Sequence, residues 1–257
     1  MCRFFSLRGL LSSTLFFAAI PALFAQSDDF NDGLDNGWSR YDPLAQFGAP
    51  GGFHFPNGGY QLRSSSSPNP SAIGPGRVGS IRMDGSYGTF SVSVDLIDWD
   101  TSLDQVFGVL ARMRNVGLGT SDGYVFLYRP FKADFLIERI DNESGIHLAR
   151  QELTLDSSLD YRFTFTGTGG NLTGMIFSLI DTSTPLLTVN VFDSTYTNGS
   201  SGLLVSTNSA DDRGVGNATF DNFHAAIPEP SIAGLLLAGL LLGGCRRLPH
   251  RAGSRMP

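Results

Sequence analysis

Through most of the chain, apolar and polar residues change places at every second position. Between residues 88 and 99, Phe90, Val92, Val94 and Leu96 fall on one side, with Ser91, Ser93 and Asp95 on the other. That is the period of a strand with one buried face. Segments 106–113, 123–129, 135–140, 146–153, 161–168, 172–180, 186–192, 203–207 and 218–223 read in the same way. Turn signals separate them: Asp84-Gly85, Asp122-Gly123, Asn142-Glu143-Ser144-Gly145, Gly167-Thr168-Gly169-Gly170 and Asn198-Gly199. Short strands about 8–12 residues apart with glycine-rich turns predict an antiparallel β-sandwich. No stretch between residues 26 and 226 has a helical period. Glutamate is scarce and Lys132 is the one lysine, which also disfavours helix. Segment 64–76, rich in serine and proline, reads as a long surface loop within one domain. The 31 glycines are consistent with many tight turns.

The two ends break the pattern. Residues 1–25 carry Arg3 and Arg8 without an acid, then an apolar stretch, then Ala25-Gln26-Ser27. This is the layout of a secretory signal peptide, with cleavage expected after Ala25 and Ala22 as the alternative site. An uncleaved N-terminal anchor is the competing reading. At the other end stand Pro228-Glu229-Pro230, an uncharged run over residues 231–245, and the arginines 246, 247, 251 and 255. The prolines exclude helix before the run. As one helix, the run reaches about 22 Å, against about 30 Å for a bilayer core. It therefore predicts one short, marginal transmembrane helix, with its arginine end in the cytoplasm. An ordinary tail anchor or a buried helix are the other readings.

This tail, Pro228, Glu229 and Pro230 followed by an apolar segment and Arg246-Arg247, resembles the PEP-CTERM sorting signal of bacterial envelope proteins. The resemblance implies recognition by an exosortase-type sorting enzyme and a transient or permanent membrane anchor. It also implies a final place at the outer surface or in the extracellular matrix of a Gram-negative-type bacterium. It concerns destination, and leaves the activity of domain 26–226 to be read separately.

That domain holds 23 acidic residues against 12 basic ones. So acidic a surface excludes a nucleic-acid role, which needs a basic footprint. Both cysteines, Cys2 and Cys245, lie in the end segments, so the domain has no disulfide, thiolate nucleophile or cysteine metal site. Asp28-Asp29-Phe30-Asn31-Asp32-Gly33 with Trp38 resembles the first strand of concanavalin A-like and laminin G-like jelly rolls. Gly202-Leu203-Leu204-Val205 and Ala218-Thr219-Phe220-Asp221-Asn222-Phe223 resemble their last strands. Tyr161-Arg162-Phe163-Thr164-Phe165 and Leu172-Thr173-Gly174-Met175 resemble a strand pair between. The resemblance implies an all-β fold, a concanavalin A-like antiparallel jelly roll over residues 26–226.

Retaining glucanases of that fold place two carboxylates about 5 Å apart, in a Glu-x-Asp-x-x-Glu pattern that this chain lacks. Its domain has only Glu138, Glu143 and Glu152, the first two spaced wrongly and running into a turn. Asp98 and Asp100 share a strand face, and read more simply as a solvated turn. No catalytic residue is assigned. His54, His147 and His224 stand apart, without metal-ligand spacing, and no nucleophile elbow or phosphate loop occurs. Calcium is the metal the acids favour, through Asp29 and Asp32 at the start and Asp221 at the end if first and last strands pair. Asp211-Asp212 is the weaker alternative. Trp99, Tyr124 and Tyr128 are the candidate ligand-stacking aromatics, with core packing as the simpler account. The four Asn-x-Ser/Thr sequons are expected products of composition. The expected function is a non-catalytic exported surface protein that adheres or binds polysaccharide. Alternatives are a glycan-active hydrolase or lyase of the same fold, and a structural surface protein without a ligand.

Overall fold

The computed structural model of the protein describes residues 25–208 and 214–226, which form two packed antiparallel sheets. Strand numbers follow the chain. One sheet runs β13 (Leu187–Phe192), β12 (Asn171–Ser178), β11 (Tyr161–Thr168), β6 (Phe90–Trp99), β15 (Asn217–Ala226), β4 (Tyr60–Arg63) and β3 (Gly52–His54), with β1 (Gln26–Asp28) also paired to β15. The seven-stranded sheet runs β10 (Ser144–Glu152), β9 (Asp134–Asp141), β8 (Asp122–Arg129), β7 (Gln105–Arg114), β14 (Ser200–Thr207), β5 (Arg77–Arg82) and β2 (Trp38–Tyr41). Each expected strand from residue 88 onward is present. Segment 64–76 is a loop carrying one turn of helix, α1 (Pro70–Ile73). The strands β2 to β5 were not among the expected ones, because they are short or interrupted by glycine.

The period-2 pattern explains the core. Phe90, Val92, Val94 and Leu96 of β6, and Phe163 and Phe165 of β11, point between the sheets and are at most 1% exposed. Phe107, Tyr124, Phe126, Tyr128 and Phe135 meet them from the other sheet. The Tyr128 and Phe135 rings stack at 4.5 Å, and Phe126 packs 6.0 Å from Phe163. Offset and edge contacts of this kind add to simple area burial. Here the expectation for Trp99, Tyr124 and Tyr128 is corrected. All three are buried in this core, at 6%, 0% and 2% exposure, and present no ring to a ligand. Two of them use their polar atoms internally. The Tyr124 hydroxyl donates to Asp193 at 2.6 Å, and the Tyr128 hydroxyl accepts from the Leu155 amide at 3.1 Å.

The leader through Phe24, the Asp211-Asp212 pair, and the tail with Pro228, Glu229, Pro230, Arg246 and Arg247 lie outside the described residues. Ala25 is exposed immediately before β1. Among the described residues no helix is long and apolar enough to cross a membrane.

Candidate functional site

The seven-stranded sheet turns a second set of side chains away from the core. Register places them in cross-strand rows. Ile81, Gly202, Leu110, Val125, Glu138 and His147 form one row. Tyr41, Gly79, Leu204, Gly108, Leu127 and Leu136 form the next. Ile81, Leu110, Val125, Leu127 and Leu136 pack into an apolar cluster of their own, separate from the core between the sheets. An outward sheet face is ordinarily polar, so an apolar one needs a cover or a ligand.

Three mid-strand glycines shape this face. A Cβ on Gly108 would collide with the Phe126 carbonyl oxygen, and one on Gly202 with the Ser80 carbonyl oxygen. A Cβ on Gly79 would come within 3.0 Å of the Leu203 carbonyl oxygen. They are buried where the backbones of β5, β14, β7 and β8 approach, a recurrent use of strand glycine, and the aliphatic side chains of the two rows make the floor of the face. Above this floor lies a cleft of about 600 Å³, within the range of small-ligand sites. Ile73 and Pro75 of the 64–76 loop wall one side, and Val116 and Leu118 of the β7–β8 loop another.

Two polar assemblies flank the cleft. In the first, Glu138 pairs with His147 at 2.8 Å. Burial pushes the Glu138 carboxyl up, against the opposing pull of His147 and Arg129. Nearby, buried Asp134 receives Arg129 in two hydrogen bonds, at 2.7 and 2.6 Å, and Arg150 as well. Burial works against that carboxylate, but the two arginines hold it below its usual range. The second assembly closes the other end. Glu143, at the β9–β10 turn, takes Arg77 in a bidentate pair at 2.9 and 2.8 Å. It also accepts from the Tyr41 hydroxyl and the Gly119 amide. Burial pushes this carboxyl up, against the hydrogen bond from the Gly119 amide, and pushes the guanidinium down. Glu143 therefore ties β2, β5 and the β7–β8 loop together. Spacing alone set Glu138 and Glu143 aside as a mismatched pair, whereas the fold brings both to one cleft.

The acids expected to hold calcium lie at the edge between β1 and β15. First and last strands do pair, Asp28 opposite Phe223. Asp28, Asp29 and Asp32 line a shallow depression with Asn222. Asp221 is raised by burial and by the charges of Asp95, Asp29 and Asp28. Asp29 and Asp32 spend an oxygen on the amides of Asn31 and Leu34 in their own loop. Among the described residues no three His, Cys, Asp or Glu side chains form a metal-holding group. Asp98 and Asp100 are exposed, and Asp100 caps the amide and hydroxyl of Ser102. His54 and His224 are exposed strand residues.

No protein-family profile and no curated protein matches the sequence. Solved structures do match the fold. The carbohydrate-binding module CBM66 of Bacillus subtilis aligns with a TM-score of 0.55 at 15% identity, over 74% of this chain and 95% of its own. A β-1,3-1,4-glucanase from a mouse hindgut metagenome aligns with 0.56 at 14%, over 80% and 99%. The exoplasmic/lumenal domain of VIP36 in a Ca²⁺/Man2-bound form aligns with 0.52 at 9%, over 81% and 91%. The chain has the concanavalin A-like jelly-roll fold of these proteins. At such identities the likeness concerns architecture.

Proposed function

We propose that this is an exported, non-catalytic glycan-binding protein that takes its ligand on the outer face of the seven-stranded sheet. The observation that carries the reading is the cleft there, with Glu138 and His147 beside it. The carbohydrate-binding module, the Man2-bound VIP36 domain and the glucanase share the fold, which supports the ligand class. Against catalysis stands the state of the two cleft glutamates. Glu143 is engaged by Arg77, Tyr41 and Gly119, and so is a poor nucleophile, while Glu138 has no free carboxylate partner. The tail, in this reading, delivers the protein to the envelope surface through an exosortase-type enzyme.

A calcium ion at the edge between β1 and β15 is the second component. The Asp221 carboxyl, pushed up by burial and by the charges of Asp95, Asp29 and Asp28, supports it. That edge belongs to the other sheet and shares no residue with the cleft, so the ion has no part in glycan contact. Calcium chloride at 1 mM (a test concentration) is expected to raise the melting temperature, and Asp221→Asn to abolish the increase. An unchanged melting temperature contradicts this component alone. For the main reading, a polysaccharide panel is incubated with the full chain, and both retention and released reducing ends are measured. Retention without release supports it, and release of oligosaccharides moves the protein to the hydrolase reading.

A further inference from the structure

The cleft has an unusual lining for a sugar site. Sugars ordinarily stack an apolar face on an aromatic ring, yet the floor is aliphatic: Ile81, Leu110, Val125, Leu127 and Leu204. The one phenol at its border, Tyr41, has its hydroxyl tied to Glu143. The phenylalanines and tryptophans that could stack lie elsewhere, chiefly between the sheets. Leu204 is the half-buried member of this floor, with Val106 and Leu127 also lining the cleft. Polarity is concentrated at one side. There Glu138 Oε1 meets His147, and Oε2 lies so near Gly145 that a Cβ would come within 2.8 Å of it. Glu138 has no other hydrogen-bond partner among the described residues, so it keeps capacity for a ligand hydroxyl.

We propose that the cleft recognises a sugar through an aliphatic substituent, an alkyl or acyl chain of a few carbons. The chain lies over Leu204, Leu127 and Ile81, and the sugar hydroxyls reach Glu138 and His147. This rests on the glycan reading and adds the chemical class that the lining selects. A bare polyol would gain little from aliphatic walls. A bare hydrocarbon would leave Glu138 buried under it without a new partner, which is costly. A molecule with both parts satisfies floor and rim.

The test compares three probes by calorimetry on the full chain in lipid nanodiscs, with empty nanodiscs as the blank. The probes are hexyl β-D-glucoside, methyl β-D-glucoside and 1-hexanol. Each methylene fully buried is worth roughly fourfold in affinity, so the hexyl glycoside is expected to bind at least tenfold more tightly than the methyl glycoside, and more tightly than hexanol. Leu204 is half-buried on the floor, so Leu204→Asn is expected to fold and to lose the preference, while Leu204→Met retains it. Equal binding of the two glycosides overturns the inference and leaves the glycan reading standing. Hexanol binding as tightly as the hexyl glycoside shows that the sugar adds nothing, and overturns both. Binding of none of the three overturns the inference. A preference unchanged in Leu204→Asn overturns the placement in this cleft.

Discussion

Arg112 is a charged side chain at 2% exposure. Its guanidinium donates to the carbonyls of Gly88, Tyr196 and Gly169 at 2.6–3.0 Å and lies 5.1 Å over the Phe90 ring. Burial pushes it down, but it has three connections to hold. Arg112→Met is expected to strand those carbonyls and cost about 3 kcal/mol, with Arg112→Lys intermediate, as read from urea midpoints. Equal stability of the Arg112→Met variant and wild type would mean that water replaces the guanidinium. Asp193 belongs to the same end of the sandwich. Burial opposes its charge, yet hydrogen bonds from Tyr124, Thr195 and Arg139 bring it down to about 2. A carboxyl lowered on folding stabilises the protein above its unfolded value, and that contribution is lost as pH falls from about 4 towards 2. Melting curves of Asp193→Asn and wild type should therefore differ by about 1–2 kcal/mol at pH 6 and converge near pH 2. A gap that persists at pH 2 contradicts this.

Strands show where sequence was sufficient and where it was not. The period of Phe90 to Leu96 told both which face is buried and that a facing sheet must exist. Tyr124, Phe126 and Tyr128 shared a face in the sequence too, but alternation cannot say whether a shared face is core or binding surface, and packing against Phe163 and Phe165 decided for core. The outer face stayed hidden for a related reason. β7 is buried on both sides, so its run Val106, Phe107, Val109, Leu110 marks a strand and does not tell that its outer face is apolar as well. Gly79, Gly108 and Gly202 carry no sign of strand pairing in the sequence, and only the pairing of β5, β14 and β7 shows them side by side. Glu138 and Glu143 were legible as residues and not as neighbours of one cleft, because that depends on the 64–76 and β7–β8 loops. Gly108→Ala is expected to cost about 3 kcal/mol through overpacking against Phe126. Gly119→Ala meets open space and pays only for its φ of +72°, about 1 kcal/mol. Comparable losses at both positions, by chemical denaturation, would remove close strand approach as the reason for the mid-strand glycines.

Across the whole molecule, the two sheets divide the work. The faces that meet between them hold the phenylalanine core and supply stability through burial. The outer face of the seven-stranded sheet spends apolar side chains where they gain nothing from that core, and two loops and the Glu143 tie keep a cleft open above them. An acidic domain without disulfides, preceded by a leader-like segment and followed by a sorting-like tail, fits a module that meets its partner outside the cell. The most direct measurement is hydrogen–deuterium exchange of the full chain with and without a retained polysaccharide. Protection confined to β5, β7, β8 and β14 and the walls at Ile73 and Leu118 is the predicted result. Protection at the β1–β15 edge instead, or none despite retention, contradicts the placement of the glycan site on this sheet.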